Sequence, residues 1–360
     1  MIKEKIKLRI EKDKRISFSQ YMESVLFDKE YGLYETYEVF GANGLFVTSP
    51  LISRHFSHCI ARNYIEIFES DKINNIAELG PGTGELSLKL ISYLKDRGSL
   101  PAKCFFYEKS SHLIERQKSL IQEYKLDDDI EFIWINNIKQ LPNEVFIIAN
   151  ELFDCIPVDL IKFNQSGFQK AYIDKSFTIV WEDYDFLSQE ESNELDLPNS
   201  IPENYIFEFS KGQHQIINEI NNAVSKAYFI IFDYGYASKE LYIPDRHNGT
   251  VTCVNNHIAD FDPMDDVGKK DISAFVNFTY LKNILNKNNW TVDGFMNQSS
   301  YLISYDILSK LDINNVDDVA SVKKLIMPNQ MGELFKVLIC KKNINQISNN
   351  KFIRNDVIKL

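Results

Sequence analysis

Residues 75–86 read NIAELGPGTGEL, an apolar run that ends in three alternating glycines, Gly80, Gly82 and Gly84, followed at once by Glu85. The apolar run has the length and composition of a buried strand. From Glu85 to Lys95, Leu86, Leu90, Ile91 and Leu94 fall on one helical face. With the next apolar run, Cys104 to Glu108, the local order is strand, turn, helix, strand, which is a βαβ unit. Glycines in such a turn let the backbone bend tightly and approach a ligand closely. A dinucleotide site would read GxGxxG and hold its pyrophosphate on the helix N-terminus. Here the spacing is GxGxG, and the Glu85 carboxylate would face a phosphate badly. S-adenosylmethionine (SAM) has no phosphate and carries a sulfonium cation, which acidic Glu78 suits. The turn, Thr83 included, is therefore expected to hold SAM, with a nicotinamide cofactor or an ordinary glycine turn as the alternatives.

Outward from this unit, Ile130 to Ile135, Val145 to Ala149, Tyr228 to Asp233 and Leu334 to Cys340 read as further buried strands, and Ser273 to Lys287 as a helix between them. Alternating strands and helices of this kind build a doubly wound sheet. Residues 161–226 break the pattern: alternating strands around Gln165-Ser166-Gly167 run into the acidic connection LSQEESNELDLPNSIPEN, and the whole reads as an insertion. Residues 236–270 are rich in Asp, Asn and Gly and read as a long loop, while the polar stretch after Lys341 is expected to add little to the core.

Length and composition bound the function. A chain of 360 residues with 44% hydrophobic and 25% charged residues supports a sizeable core, either one domain with insertions or two. Its net charge of -11 disfavours nucleic acid and anionic lipid and favours a cationic substrate. Cys59, Cys104, Cys155, Cys253 and Cys340 form no metal-ligand spacing, so no metal is expected and reduced thiols in a cytoplasmic compartment are. The first 18 residues lack the apolar core of a signal peptide, and no apolar run reaches the length of a membrane span.

Polar residues at strand ends mark the candidate site, since ligands of open α/β sheets bind outside the carboxyl ends of the strands. Glu108 stands 24 residues past Gly84, where a carboxylate can accept hydrogen bonds from both ribose hydroxyls. Asn136 and Asn137 follow the third strand and are candidates to meet the adenine, although loop asparagines are common. In VFIIANELFDCIPVDL, residues 145–160, Asn150, Glu151 and Asp154 appear abruptly after a hydrophobic strand and are the candidate catalytic residues; Asp154 could equally be a helix cap.

Taken together, ISFSQYMESVLFDKEYGLY (16–34), GLFVTSPLIS (44–53), ELGPGTGEL (78–86), YEKSSHLIERQ (107–117), NELFDCIPV (150–158), FDYG (232–235), GTVTCVNNH (249–257), DISAFVNF (271–278) and MGELFKVLIC (331–340) resemble the MidA-like family of SAM-dependent methyltransferases. The resemblance implies a class I methyltransferase: a Rossmann-like α/β sheet with helices on both faces, plus an N-terminal segment and an inserted subdomain. It implies an organisation into an N-terminal segment (1–70) covering the cofactor site, a SAM-binding core (71–345) with the insertion at 161–226 and the loop at 236–270, and a polar tail (346–360). Gly80, Gly82 and Gly84 would cradle SAM, Glu108 would bind its ribose, Thr48, Ser49 and Pro50 would close over it, and Asn150, Glu151 and Asp154 would border the methyl-transfer site. By the same resemblance the substrate is an arginine on a protein, such as a respiratory-complex subunit. The chain departs from the family pattern at Leu51, where an acidic residue is usual, and at Phe275-Val276-Asn277, where HVD is usual; His257 is assigned no role. Two other functions fit the same residues: a small-molecule O- or N-methyltransferase, and an assembly or scaffold protein with a vestigial cofactor site.

Overall fold

Apolar runs bounded by turn residues become the strands of the central sheet in the computed structural model, which describes residues 1–41, 44–164, 167–185, 189–345 and 351–360. Along its main path the strands are β1 Asn75–Leu79, β2 Lys103–Tyr107, β3 Glu131–Ile135, β4 Glu144–Asn150, β5 Lys226–Tyr236, β6 Thr291–Asn297 and β7 Phe335–Lys342, in the order β3-β2-β1-β4-β5-β7-β6. Strands β1 to β5 run parallel, and β7 is antiparallel to both β5 and β6. Three helices among those connecting them are α1 Arg54–Asp71, α2 Glu85–Lys95 and α3 Ser111–Tyr124. The order of the parallel strands reverses at β1, so the carboxyl ends of β1 and β4 lie side by side, with Leu79 opposite Ala149. That reversal is the switch point at which open α/β sheets bind ligands.

Two compact units divide the chain. One holds the sheet and comprises residues 47–152, 216–235 and 285–360; the other gathers residues 1–46, 153–215 and 236–284. The sheet unit has a continuous core in which Ile60 and Tyr64 of α1, Leu90 and Leu94 of α2, Phe106, Phe146, Ile230 and Ile339 are buried. In the second unit, Ile6, Tyr21, Met22, Leu26, Leu160, Ile173, Cys253 and Ile272 form a separate core. Its strand Gly167–Ile173 pairs with Ile16–Ser17, Asp159–Asn164 and Ile179–Asp183, and a three-stranded sheet joins Thr252–Asn255 to Ile258–Asp260 and Asp271–Ser273. The stretch 236–270, read as a loop, thus contains two short strands, too brief to show a period in the sequence.

The helix expected from Ser273 begins instead at Phe278. Asp271–Ser273 is held in a strand by Thr252–Val254, and Asn277 caps the helix, accepting from the Tyr280 N–H at 3.0 Å. The Asn277 amide also donates to the Leu195 carbonyl and the Tyr242 hydroxyl, both at 3.0 Å, which a carboxylate could not do. In the acidic connection, residues 189–195 form a helix whose Glu194 and Leu195 are buried; Leu187 and Ser188, like Gln165 and Ser166 of the expected turn and 346–350 of the tail, lie outside the described residues. Residues 351–360 dock on β6: Asn355 bonds both the Phe295 N–H and the Asp293 carbonyl, and Asp356 donates its N–H to Phe295 O. No helix among the described residues is long and apolar enough to cross a membrane.

Candidate active site

At the end of β1 the chain turns through Gly80, Gly82 and Gly84 at φ +65°, +53° and +88° and enters α2. A β-carbon on Gly84 would stand 3.2 Å from Gln117 Cγ while the backbone sits in the left-handed region, so this position needs glycine twice over. The turn is closed by the Gly84 N–H donating to Pro81 O at 2.8 Å, and it is anchored to β2 by the Gly80 N–H donating to Tyr107 O at 3.0 Å. Thr83, half-buried, lies between the last two glycines. Glu85 opens α2, where a carboxylate favours the helix dipole, and is held by Lys89 and the Tyr124 hydroxyl, both at 3.0 Å.

Glu78 is 2% exposed and accepts a 2.5 Å hydrogen bond from Ser87 Oγ. Burial, with the nearby Glu108 charge adding to it and Ser87 opposing, pushes its carboxyl up to about 8. At neutral pH it is therefore a neutral acid set behind the turn. Glu108 follows β2; its Oε1 accepts the N–H groups of Lys109 and Ser110 at 2.8 and 2.9 Å, while Oε2 lies 3.5 Å from the Gln117 amide nitrogen. The two amides fix the carboxylate at the sheet edge, half-buried, in a pose suited to a diol.

Asn136 and Asn137 follow β3 and are exposed; Asn137 caps a short 3₁₀ turn in a reciprocal box with Gln140. Thr48 stands at the N-cap position of the short helix Ser49–Ile52, without a capping bond from its side chain. Ser49 is fully buried and donates to Gln298 Oε1 at 3.2 Å, and the Pro50 carbonyl accepts from Lys89 of α2 at 2.8 Å. Pro50 is thus fastened to the helix that starts at the glycine turn, and Ser49 to the helix Gln298–Ser304. Asn150 ends β4; its Oδ1 is buried without a partner, and its amide donates to Glu151 Oε1 at 3.2 Å. Glu151 has φ +53°, unusual for a non-glycine residue, and its N–H continues the ladder to Phe232 O at 2.9 Å.

The structure therefore brings together Glu78, the glycine turn, Glu108, Asn150 and Glu151 along the carboxyl edge of β1, β2 and β4, with Pro50 bonded to α2 through Lys89. Asp154 falls in the other compact unit. There it is buried, its carbonyl accepts from Ala274 N–H at 3.0 Å, and burial together with its charge pushes Asp271 up to about 7 against the bond from Tyr34. Gln117, Ser87 and Asp271 are not among the residues expected from the sequence, although Gln117 and Asp271 lie inside the motifs YEKSSHLIERQ and DISAFVNF. Neither ends a strand, where polar residues of an open α/β site announce themselves in sequence.

These residues suit SAM. The glycine cradle admits close approach, the carboxylate beyond β2 is preset, and Asn150 offers a buried acceptor that lacks a partner. SAM when bound supplies an electrophilic methyl group on a sulfonium. A sheet in this order with this edge defines a class I SAM-dependent methyltransferase. The chain belongs to a family of S-adenosyl-L-methionine-dependent methyltransferases, whose model matches residues 59–296. It is similar to the mitochondrial protein arginine methyltransferase NDUFAF7 of Bos taurus, 23% identical over 90% of this chain and 79% of the relative, and to that of Xenopus tropicalis, 26% identical over 89% and 81%. A Burkholderia thailandensis structure with S-adenosylhomocysteine bound superposes with a TM-score of 0.89 at 26% identity, covering 98% of this chain and 95% of the other.

The cytoplasmic location expected from the cysteines does not hold, because these curated relatives are mitochondrial proteins. All five thiols are free and buried. Such thiols persist in any reducing compartment, so cysteine usage never distinguished the two.

Proposed function

We propose that this methyltransferase transfers the methyl group of SAM to an arginine of a protein substrate, and that Glu151 orients the guanidinium. The observation that carries this reading is Glu151 itself: a carboxylate in a left-handed backbone, at the sheet edge one strand from the glycine turn. Strained non-glycine residues persist where the surroundings over-determine them, and they cluster at functional sites. The names of the relatives support arginine, and the net charge of -11 supports a cationic partner.

A guanidinium stays protonated at neutral pH, so the site must work on the cation. A carboxylate pairs with its planar fork and draws charge away from the nitrogen that attacks. That nitrogen bonds to the methyl carbon as the carbon–sulfur bond breaks, the bonding pair stays on the sulfur of neutral S-adenosylhomocysteine, and the nitrogen gives up one proton to water. Asn150, donating to Glu151, holds the carboxylate in place before substrate arrives. The glycine turn and Glu108 bind the cofactor, and Thr48 to Pro50 cover it.

Replacing Glu151 by Gln keeps the shape and removes the charge. SAM affinity should stay within about threefold, while turnover on an arginine-containing protein falls on the order of 100-fold or more. The assay is transfer of labelled methyl from SAM to protein in a lysate lacking this chain, with mass spectrometry of the labelled residue. Wild-type turnover by Glu151→Gln, or a methyl on a residue other than arginine, overturns the proposal.

A further inference from the structure

Gln117 is fully buried on α3, and its side chain joins three parts of the cofactor edge. Its Nε2 donates to the Gly82 carbonyl at 2.7 Å and lies 3.5 Å from Glu108 Oε2; its Oε1 accepts from the Trp134 indole N–H at 2.7 Å. An indole nitrogen can only donate, so it fixes which end of the amide faces β3. The NH₂ end is left for Gly82 and Glu108, both acceptors. No other rotation of the amide satisfies all of these partners.

We infer that Gln117 is a positioning residue for SAM, setting the direction of the Gly82–Thr83 peptide and the pose of Glu108 together. This rests on the glycine turn being the cofactor cradle. The peptide is planar, so a carbonyl drawn toward α3 sends the Thr83 N–H to the opposite side, away from the helix. Gly82 at φ +53° has no side chain to restrict it, and without an external hold its peptide could turn over. Gln117 supplies that hold, and Trp134 holds Gln117. The packing of Gly84 against Gln117 Cγ keeps the side chain from swinging out.

The test is calorimetric titration with S-adenosylhomocysteine on the full chain, comparing wild type, Gln117→Leu, Gln117→Glu and Gly82→Val, each checked for folding by its melting curve. Glutamate keeps the volume and the acceptor for Trp134 but offers the Gly82 carbonyl another acceptor. Leucine keeps roughly the volume and removes the bonds to Gly82, Glu108 and Trp134, and a residue that only fills space would tolerate it. The inference expects both Gln117 variants to bind on the order of tenfold to a hundredfold more weakly than wild type while remaining folded. A second readout is the indole N–H resonance of Trp134, identified with Trp134→Phe: ligand should shift it in wild type and leave it unmoved in Gln117→Leu. Binding by Gln117→Leu within about twofold of wild type, with Gly82→Val losing binding, overturns the role of Gln117 and spares the cradle. Unchanged binding by Gly82→Val as well overturns the cradle itself and the inference with it.

Discussion

At the scale of single residues, the candidate site mixes groups aimed at ligand with groups that hold them. Glu78 belongs to the second kind. Its carboxyl, near 4.5 in an unfolded chain, is lifted to about 8 by burial, so the native chain keeps a proton that the unfolded chain releases. Stability from this group is full below the unfolded value and is lost as pH rises through the folded one. Glu78→Gln has the same shape and no charge to expose. Its melting temperature should therefore gain on wild type between about pH 4.5 and about pH 8. A difference that stays constant across that range would mean the carboxyl is not held neutral by burial.

Elements are held by side chains that sequence spacing does not pair. The helix Phe18–Phe27 starts with a capping box, Ser17 accepting from Gln20 N–H and Gln20 returning the bond, which the SFSQ pattern makes readable locally. What fastens it is Asp159, whose Oδ1 accepts from Ser19 Oγ at 2.6 Å and whose Oδ2 meets Lys170 at 2.7 Å, with both charged side chains nearly buried. Asp159→Ala leaves the Lys170 ammonium buried without its partner, at a cost of about 3 kcal/mol. Denaturant melts should show that loss, and limited proteolysis should cut more readily between α-helical residues 13 and 18. An unchanged midpoint would show that Asp159 contributes nothing to holding this helix. Strands β1 to β5 and β7 were legible to within two or three residues because strands buried on both faces read as continuous apolar runs, whereas the edge strand β6, TVDGFMN, mixes polar and apolar residues and was not read. The helix expected at Ser273 was misplaced because pairing with Thr252–Val254 outweighed local period.

For the whole molecule, the residues proposed to hold SAM all lie in the sheet unit, with its own core. S-adenosylhomocysteine at about 100 times its Kd should stabilise that unit by about 2.7 kcal/mol. Hydrogen exchange followed by mass spectrometry should then show slowed exchange in peptides covering residues 76–86 and 105–117. Slowing confined to residues 153–215 and 236–284 would place the ligand elsewhere.

By itself the sequence determined the βαβ unit, the glycine turn, the strand-end carboxylates and the family, because each depends on residues close in the chain and on a strong period or motif. Tertiary structure alone decided that residues 1–46, 153–215 and 236–284 share a core, and that Gln117 rather than a strand-end residue binds Gly82, Glu108 and Trp134 together. Contacts of this kind join residues from nine to more than two hundred positions apart. A buried polar side chain shows only its type in the sequence, and its hydrogen-bond partners exist only once the chain has packed around it.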